Sequence, residues 1–333
     1  MSSITWLTDY TALTEHVGLV DLAERTQLEF RGADRASFLH NLCTNDIRGL
    51  QSFAGCEAFI TNIQGKTIGH GLFFSGHDSL VFETVPAQGQ KLRQHFEKYL
   101  IREKVEIDDR STDWAQWLVA GKQAEELLQK LLSHGALPVH QLESQVATIS
   151  QTPVWLRRVD VAGPIGFLVD CRRGDHAHVG SLLHNAGAQR CCHEAVDAAR
   201  IEAGFPLFGR DITETNLPQE VARDRRAISF KKGCYLGQET VARIDALGHV
   251  NRTLVGLHYL GMDVPKVGAT VLAGDEPVGT VTSATWSPKL NSPLALGYVR
   301  RGHNTPGTRL ASVIGPAEVE VIDLAVGEAS NAG

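Results

Sequence analysis

The sequence is short of the features that announce several common protein classes. It has six cysteines in 333 residues, and none of Cys43, Cys56, Cys171, Cys191, Cys192 and Cys234 forms a C-x-x-C pair. Neither a structural zinc site nor a disulfide framework is indicated by that spacing. A reducing cytoplasm is the simplest compartment for such a chain. No run approaches the ~18 apolar residues of a membrane span. The opening MSSITWLTDYTALTEHVG lacks the basic region and apolar core of a secretion signal. Positive charge is scarce as well: 32 Lys and Arg against 38 Asp and Glu give a net charge of -6. That is the opposite of the basic footprint of a general nucleic-acid binder. No internal repeat is visible, and low complexity is confined to the C-terminal EASNAG.

What remains is the composition of a globular, enzyme-like protein, 43% hydrophobic and 21% charged. The length suits two or three domains. LEFRGADRASFLHNL reads as a strand, a turn at Gly32 and a helix capped by Asp34. CEAFITNIQGKTIGHGLFF reads as a hairpin turning near Gln64-Gly65-Lys66. SLVFETV, a helix through Leu92, Phe96, Tyr99 and Leu100, and KVEIDD follow. From Trp114 the pattern restarts. WAQWLVA, KQAEELLQKLL, VWLRRVD, IGFLVD, HAHVGSLLHNAG and a short strand near Gln189–Cys192 give β-α-β-β-α-β. That order fits a ferredoxin-like split βαβ unit. EAVDAARIEAG reads as a helix stopped by Gly204, and AISF as a strand. Beyond a boundary near Leu247–Thr253, short strands alternate with Gly and Pro turns, the pattern of a small β-barrel or sandwich.

Two places carry chemical interest. In Lys231-Lys232-Gly233-Cys234-Tyr235-Leu236-Gly237-Gln238-Glu239, Gly233 permits a positive φ and Gly237 a second bend. QETVARI reads as the start of a helix, which would place Cys234 near its N-terminus. Helix-end N–H groups and nearby lysines favour a thiolate. A buried cysteine packed among Phe230, Tyr235 and Leu236 is the other reading. Glu239 and Arg243 stand at i, i+4, the spacing of a surface ion pair. The second place is Glu202, in Arg200-Ile201-Glu202-Ala203-Gly204. Its charge opposes the dipole at the end of its helix, so helix stability does not explain it. Either it is a solvated charge, or its carboxylate takes two parallel N–H groups of a planar ligand.

ARIEAGFPLFGRD, LPQE and ISFKKGCYLGQETVARIDALGHVNR together resemble the YgfZ-type folate-binding proteins, relatives of the glycine-cleavage T-protein, an aminomethyltransferase. GADRASFLHNLCTNDIRGL and VGTVTSATWSPKLNSPLALGYV extend the resemblance over nearly the whole chain. It implies an α+β, three-lobed cloverleaf around a central folate site. Two intertwined lobes would occupy 1–248, with the ferredoxin-like portion at roughly 50–200, a C-terminal β-barrel 249–328 and a tail 329–333. It implies tetrahydrofolate, or another reduced folate, as cofactor, with Glu202, Lys231, Lys232 and Arg243 as its contacts. It implies a functional thiol at Cys234, support for the maturation or repair of iron–sulfur enzymes, and iron–sulfur client or assembly proteins as partners. No metal site of its own is expected. The alternative is a folate-dependent aminomethyltransferase or related one-carbon transferase. Against it, Gly69 and His70 stand where T-proteins are thought to carry an acid that acts in the transfer.

Overall fold

The computed structural model describes residues 5–312 and 318–322. The expected tail 329–333, and the end of the expected barrel at 323–328, lie outside the described residues. The chain opens with α1 (Thr5–Glu15) and β1 (Gly18–Asp21). A first lobe follows: β2 (Thr26–Arg31), α2 (Arg35–His40), β3 (Gly55–Thr61), β4 (Thr67–Ser75), β5 (Ser79–Thr84), α3 (Gly89–Lys98) and β6 (Glu106–Asp109). Its five strands form an antiparallel sheet in the order β3-β4-β5-β2-β6. Leu28, Phe30, Phe73 and Phe82 bury one face against Phe38, Leu39, Leu92 and Phe96 of α2 and α3. These helical positions recur at the spacing of a single buried stripe.

The second lobe holds β7 (Trp114–Ala120), α4 (Ala124–Leu131), β8 (Leu132–His134), β9 (Ser144–Ile149), β10 (Thr152–Val159), β11 (Gly166–Arg172), α5 (His176–Asn185) and β12 (Gln189–Arg190). Its sheet runs β12-β1-β7-β11-β10-β9-β8. The order β12, β7, β11, β10 is that of a split βαβ unit, and β1 is inserted between its first two members. β1 is parallel to β12 and antiparallel to β7. One face of this sheet packs on α4 and α5, the other on α1 and on α6 (His193–Glu202).

After α6 come two short segments, α7 (Asp224–Ala227) and α8 (Gln238–Leu247). β13 (Arg252–Tyr259), β14 (Thr270–Ala273), β15 (Glu276–Ser287), β16 (Ser292–Arg300), β17 (Arg309–Ser312) and β18 (Glu318–Ile322) close into a six-stranded barrel. Its interior is filled by Val255, Leu257, Val271, Val281, Val299 and Val321. Closure leaves no unpaired edge to template aggregation. The three-lobed α+β architecture is thus the one expected. No described helix is long and apolar enough to cross a membrane.

Three local expectations fail for physical reasons. AISF is not a strand: Ala227 ends α7, and the backbone beyond it is claimed by the Thr44-Asn45-Asp46 segment. Thr44 Oγ1 donates to Ala227 O at 2.6 Å, and Ser229 N donates to Thr44 O at 3.0 Å. Asp34 precedes α2 but does not cap it, because its carboxylate accepts Lys104 N at 2.8 Å. Positive φ falls at Gly237 (80°) and not at Gly233.

Candidate functional site at the junction of the lobes

Glu202 is the last residue of α6, and its position follows from how that helix is held. Gly204, at φ 65°, turns the chain out of the helix. Two residues before Glu202, the buried Arg200 fixes α6 to the barrel. Its Nη1 donates to Asp211 Oδ2 at 2.9 Å, and its Nη2 to Ser283 Oγ of β15 at 2.8 Å. Asp211 is itself completed by Leu207 N at 3.0 Å and by the hydroxyls of Thr282 and Ser283. α6 is therefore wedged between α1 and the barrel.

That wedge gives Glu202 donors from both sides. Tyr10 of α1 donates its hydroxyl to Oε2 at 2.6 Å. Ser287 of β15 donates to Oε1, and Lys289 N makes a longer contact to the same oxygen at 3.3 Å. Burial, followed by the adjoining Glu202 carboxylate, pushes the Tyr10 phenol above its ordinary range, so it remains a donor. Glu202 is partly buried, not a solvated helix-end charge.

The segment after Glu202 is anchored by a second charged cluster. Glu57 of β3 is buried and takes Arg223 Nε and Nη2, both at 2.5 Å, in a bidentate pair. His70 of β4 places Nε2 2.7 Å from Glu57 Oε1. Its ring lies against Phe59 and Phe205, with centroids 4.9 and 5.9 Å away. Arg223 covers the Phe205 ring at 5.2 Å and reaches Gly204 O at 3.4 Å. Burial alone would raise the Glu57 carboxyl. The Arg223 guanidinium and His70 outweigh it and hold the group well below the usual carboxylate range. No carboxylate is carried at 69 or 70, but one is delivered to His70 by the neighbouring strand. Sequence reading missed Glu57. The signal was there: strand alternation puts it on the face of the fully buried Phe59.

KKGCYLGQE forms a loop docked on the first lobe. Lys232 Nζ donates to His40 O, and to Cys43 O and Asn45 O at 2.8 Å each, around the end of α2. Burial lowers this ammonium from its ordinary value. Leu236 N donates to Asn41 O at 2.9 Å, and Thr61 Oγ1 to Leu236 O at 2.6 Å. At Gly237 a Cβ would lie 2.4 Å from Asn62 O and 2.7 Å from Gly65 Cα, so the loop backbone meets the β3–β4 turn with no side chain between.

Cys234 is exposed between these anchors and precedes α8 as expected, so its packing among apolar neighbours is not realised. Lys231 is exposed, whereas the Lys232 ammonium is committed to carbonyls. Arg243 is exposed on α8, and among the described residues no ion pair joins it to Glu239. Lys231, Lys232 and Cys234 thus share one loop. None of these three, nor Arg243, touches Glu202 among the described contacts. Among the described residues no group of three His, Cys, Asp or Glu side chains is arranged to hold a metal.

Residues 3–232 match the GCVT N-terminal domain and residues 252–325 the glycine cleavage T-protein C-terminal barrel domain. An aminomethyltransferase of Symbiobacterium thermophilum is 29% identical over 328 residues, covering 92% of this chain and 84% of that protein. One from Thermus thermophilus is 29% identical over 300 residues, covering 90% and 84%. The crystal structure of glycine cleavage system aminomethyltransferase T from Bartonella henselae shares the fold, with a TM-score of 0.84 at 19% identity, covering 97% of this chain and 89% of that one. On both domain matches, with the barrel and the two α+β lobes in the same order, the chain belongs to the glycine cleavage T-protein family.

Proposed function

We propose that this protein binds a reduced folate where α1, α6 and the barrel meet, and that Cys234 serves the maturation or repair of iron–sulfur enzymes. The observation that carries the folate reading is Glu202, held by donors from two lobes at their junction. A carboxylate offers about four lone-pair sites. Three are engaged, one of them by the long Lys289 N contact, which can yield. Room therefore remains for two N–H groups of a pterin edge, and the residues fit the ligand. Reduced folate supplies a carrier for one carbon. Lys231, exposed and outside any ion pair among the described residues, is the available cation for the folate glutamate tail. Arg243 is the further contact in this reading, whereas Lys232 spends its three donors on the carbonyls around the end of α2 and has none left for the folate.

The exposed Cys234, on a loop pinned before and after it, suits presentation to an iron–sulfur client or assembly protein. Calorimetric titration with tetrahydrofolate tests the ligand. Binding should be measurable and should weaken about 10- to 100-fold in Glu202→Ala, the worth of a hydrogen bond to a charged group. Absence of binding ends this reading. Full rescue of iron–sulfur enzyme activity by Cys234→Ala in a deletion strain would remove the thiol from it.

The comparisons speak more directly for a second reading, folate-dependent aminomethyl transfer. The structural observation in its favour is the His70–Glu57 pair. It puts an imidazole backed by a carboxylate in the segment where the acid is missing. Formation of methylene-tetrahydrofolate from an aminomethyl donor, abolished in Glu202→Ala and unaffected in Cys234→Ala, would establish this reading over the first.

A further inference from the structure

An open cavity of ≈ 560 Å³ lies against the outer wall of the barrel, between β13–β16 and the segment 210–216 that follows α6. Its volume is that of a small-molecule site. None of Tyr10, Glu202, Ser287, Lys231 and Cys234 lines it. Strand register fixes what the wall presents. Arg252 of β13 stands directly opposite Arg300 of β16, and Thr270 of β14 directly opposite Thr280 of β15. All four line the cavity, and Arg210 joins them from the segment across it.

Stability does not account for this arrangement, because like charges directly opposite each other weaken an antiparallel pair. Nor is the lining interleaved with free carboxylates. Among the described residues Asp211 is its one acid. A carboxylate has about four lone-pair sites, and those of Asp211 are taken by Arg200 Nη1, Leu207 N and the hydroxyls of Thr282 and Ser283. Each cavity guanidinium spends one nitrogen on an acid outside the lining. Arg210 Nη1 donates to Asp197 at 2.6 Å, Arg252 Nη2 to Glu220 at 3.3 Å and Arg300 Nη1 to Glu276 at 2.5 Å. The three side chains are 37%, 41% and 59% exposed, so their other N–H groups are accessible. Ion pairs this exposed hold weakly and yield to a better partner. Thr280 is exposed and Thr270 half-buried, and neither hydroxyl makes a hydrogen bond among the described residues.

The spread of donors selects the kind of anion. A carboxylate has two coplanar oxygens and is satisfied by a single guanidinium fork. A phosphoryl group has three acceptor oxygens on a tetrahedron and takes donors from several directions. We propose that this cavity binds a small phosphate ester, its phosphoryl group held by Arg210, Arg252 and Arg300 with the hydroxyls of Thr270 and Thr280. The site is separate from the folate site and does not depend on it.

The intact protein is titrated calorimetrically with inorganic phosphate, with pyrophosphate and with acetate at constant ionic strength. Saturable binding of phosphate and pyrophosphate is expected, tighter than that of acetate and weakened about ten-fold or more in Arg300→Gln. That side chain is exposed, so the variant should melt like the parent. Thr280→Val keeps every charge and should also weaken binding. Arg301→Gln removes an exposed neighbour that does not line the cavity, and it should bind as the parent does. So should Glu202→Ala, which separates this site from the folate reading. The proposal is overturned if neither phosphate nor pyrophosphate binds saturably, or if acetate binds as tightly. It is equally overturned if folded Arg300→Gln and Thr280→Val both bind like the parent, or if Arg301→Gln weakens binding as much as Arg300→Gln.

Discussion

Glu57→Gln is the sharpest probe of the junction. The substitution keeps the shape of the side chain and removes its charge. Arg223, with a side chain 9% exposed, then loses its charged bidentate partner and retains the contact to Gly204 O and its cover of the Phe205 ring. Removing one member of a buried pair costs about 3–5 kcal/mol, because the other is left uncompensated. At about 1.4 °C per kcal/mol for a chain of this length, the melting point should fall by roughly 4–7 °C. Urea unfolding at neutral pH measures the loss directly.

The pH dependence provides a second, independent check. The folded Glu57 carboxyl is held below its unfolded value, so its contribution is fully present above about pH 4.3. Below that it is lost at about 1.4 kcal/mol per pH unit, until the folded group also protonates. The gap between parent and Glu57→Gln should therefore narrow in acid. A variant within about 1 kcal/mol of the parent at pH 7, or a gap unchanged down to about pH 3, would refute the assignment. Arg223 also covers Phe205, three residues beyond Glu202, so tetrahydrofolate affinity should fall together with stability.

Gly237→Ala should destabilise by about 2 kcal/mol or more, since it combines a positive φ with a Cβ 2.4 Å from Asn62 O. Gly233→Ala, with open space and no positive φ, should stay within about 0.5 kcal/mol, and equal urea midpoints for the two would disprove the docking argument. Lys232→Met strands the three carbonyls around the end of α2 and should cost about 1–3 kcal/mol by the same measurement. Iodoacetamide should label Cys234 first in the native protein, because Cys43 and Cys171 are buried. Undiminished early labelling of Cys234→Ser would contradict its exposure.

Much of the fold was legible because its signals are local. The β3–β4 hairpin, the amphipathic α3 and the Gly-punctuated barrel strands all follow from periodicity and turn chemistry. β1 was not legible, since four residues carry no period and acquire their structure only by pairing with β7 and β12. β8 and β9 lay in a stretch that offered no clear alternation. At the site, Glu202 stood out because its charge is wrong for its helix position. Its partners Tyr10 and Ser287 could not be foreseen, being 192 and 85 residues away. The two adjacent lysines looked equivalent in sequence. Only the arrangement of carbonyls around α2 separates a structural Lys232 from a free Lys231.

The insertion of β1 between β7 and β12 also bears on how the chain is made. During synthesis from the N-terminus, β1 emerges early but has no complete slot until Gln189–Arg190 has left the ribosome. A fragment ending before Trp114 would carry β1 as an orphan strand, and one beginning at Trp114 would lack the strand that separates β7 from β12. The two lobes are therefore not separable modules that could be exchanged or expressed one at a time. The α1–β1 segment acts as a late clasp, and its closure brings Tyr10 to Glu202 only once most of the polypeptide exists.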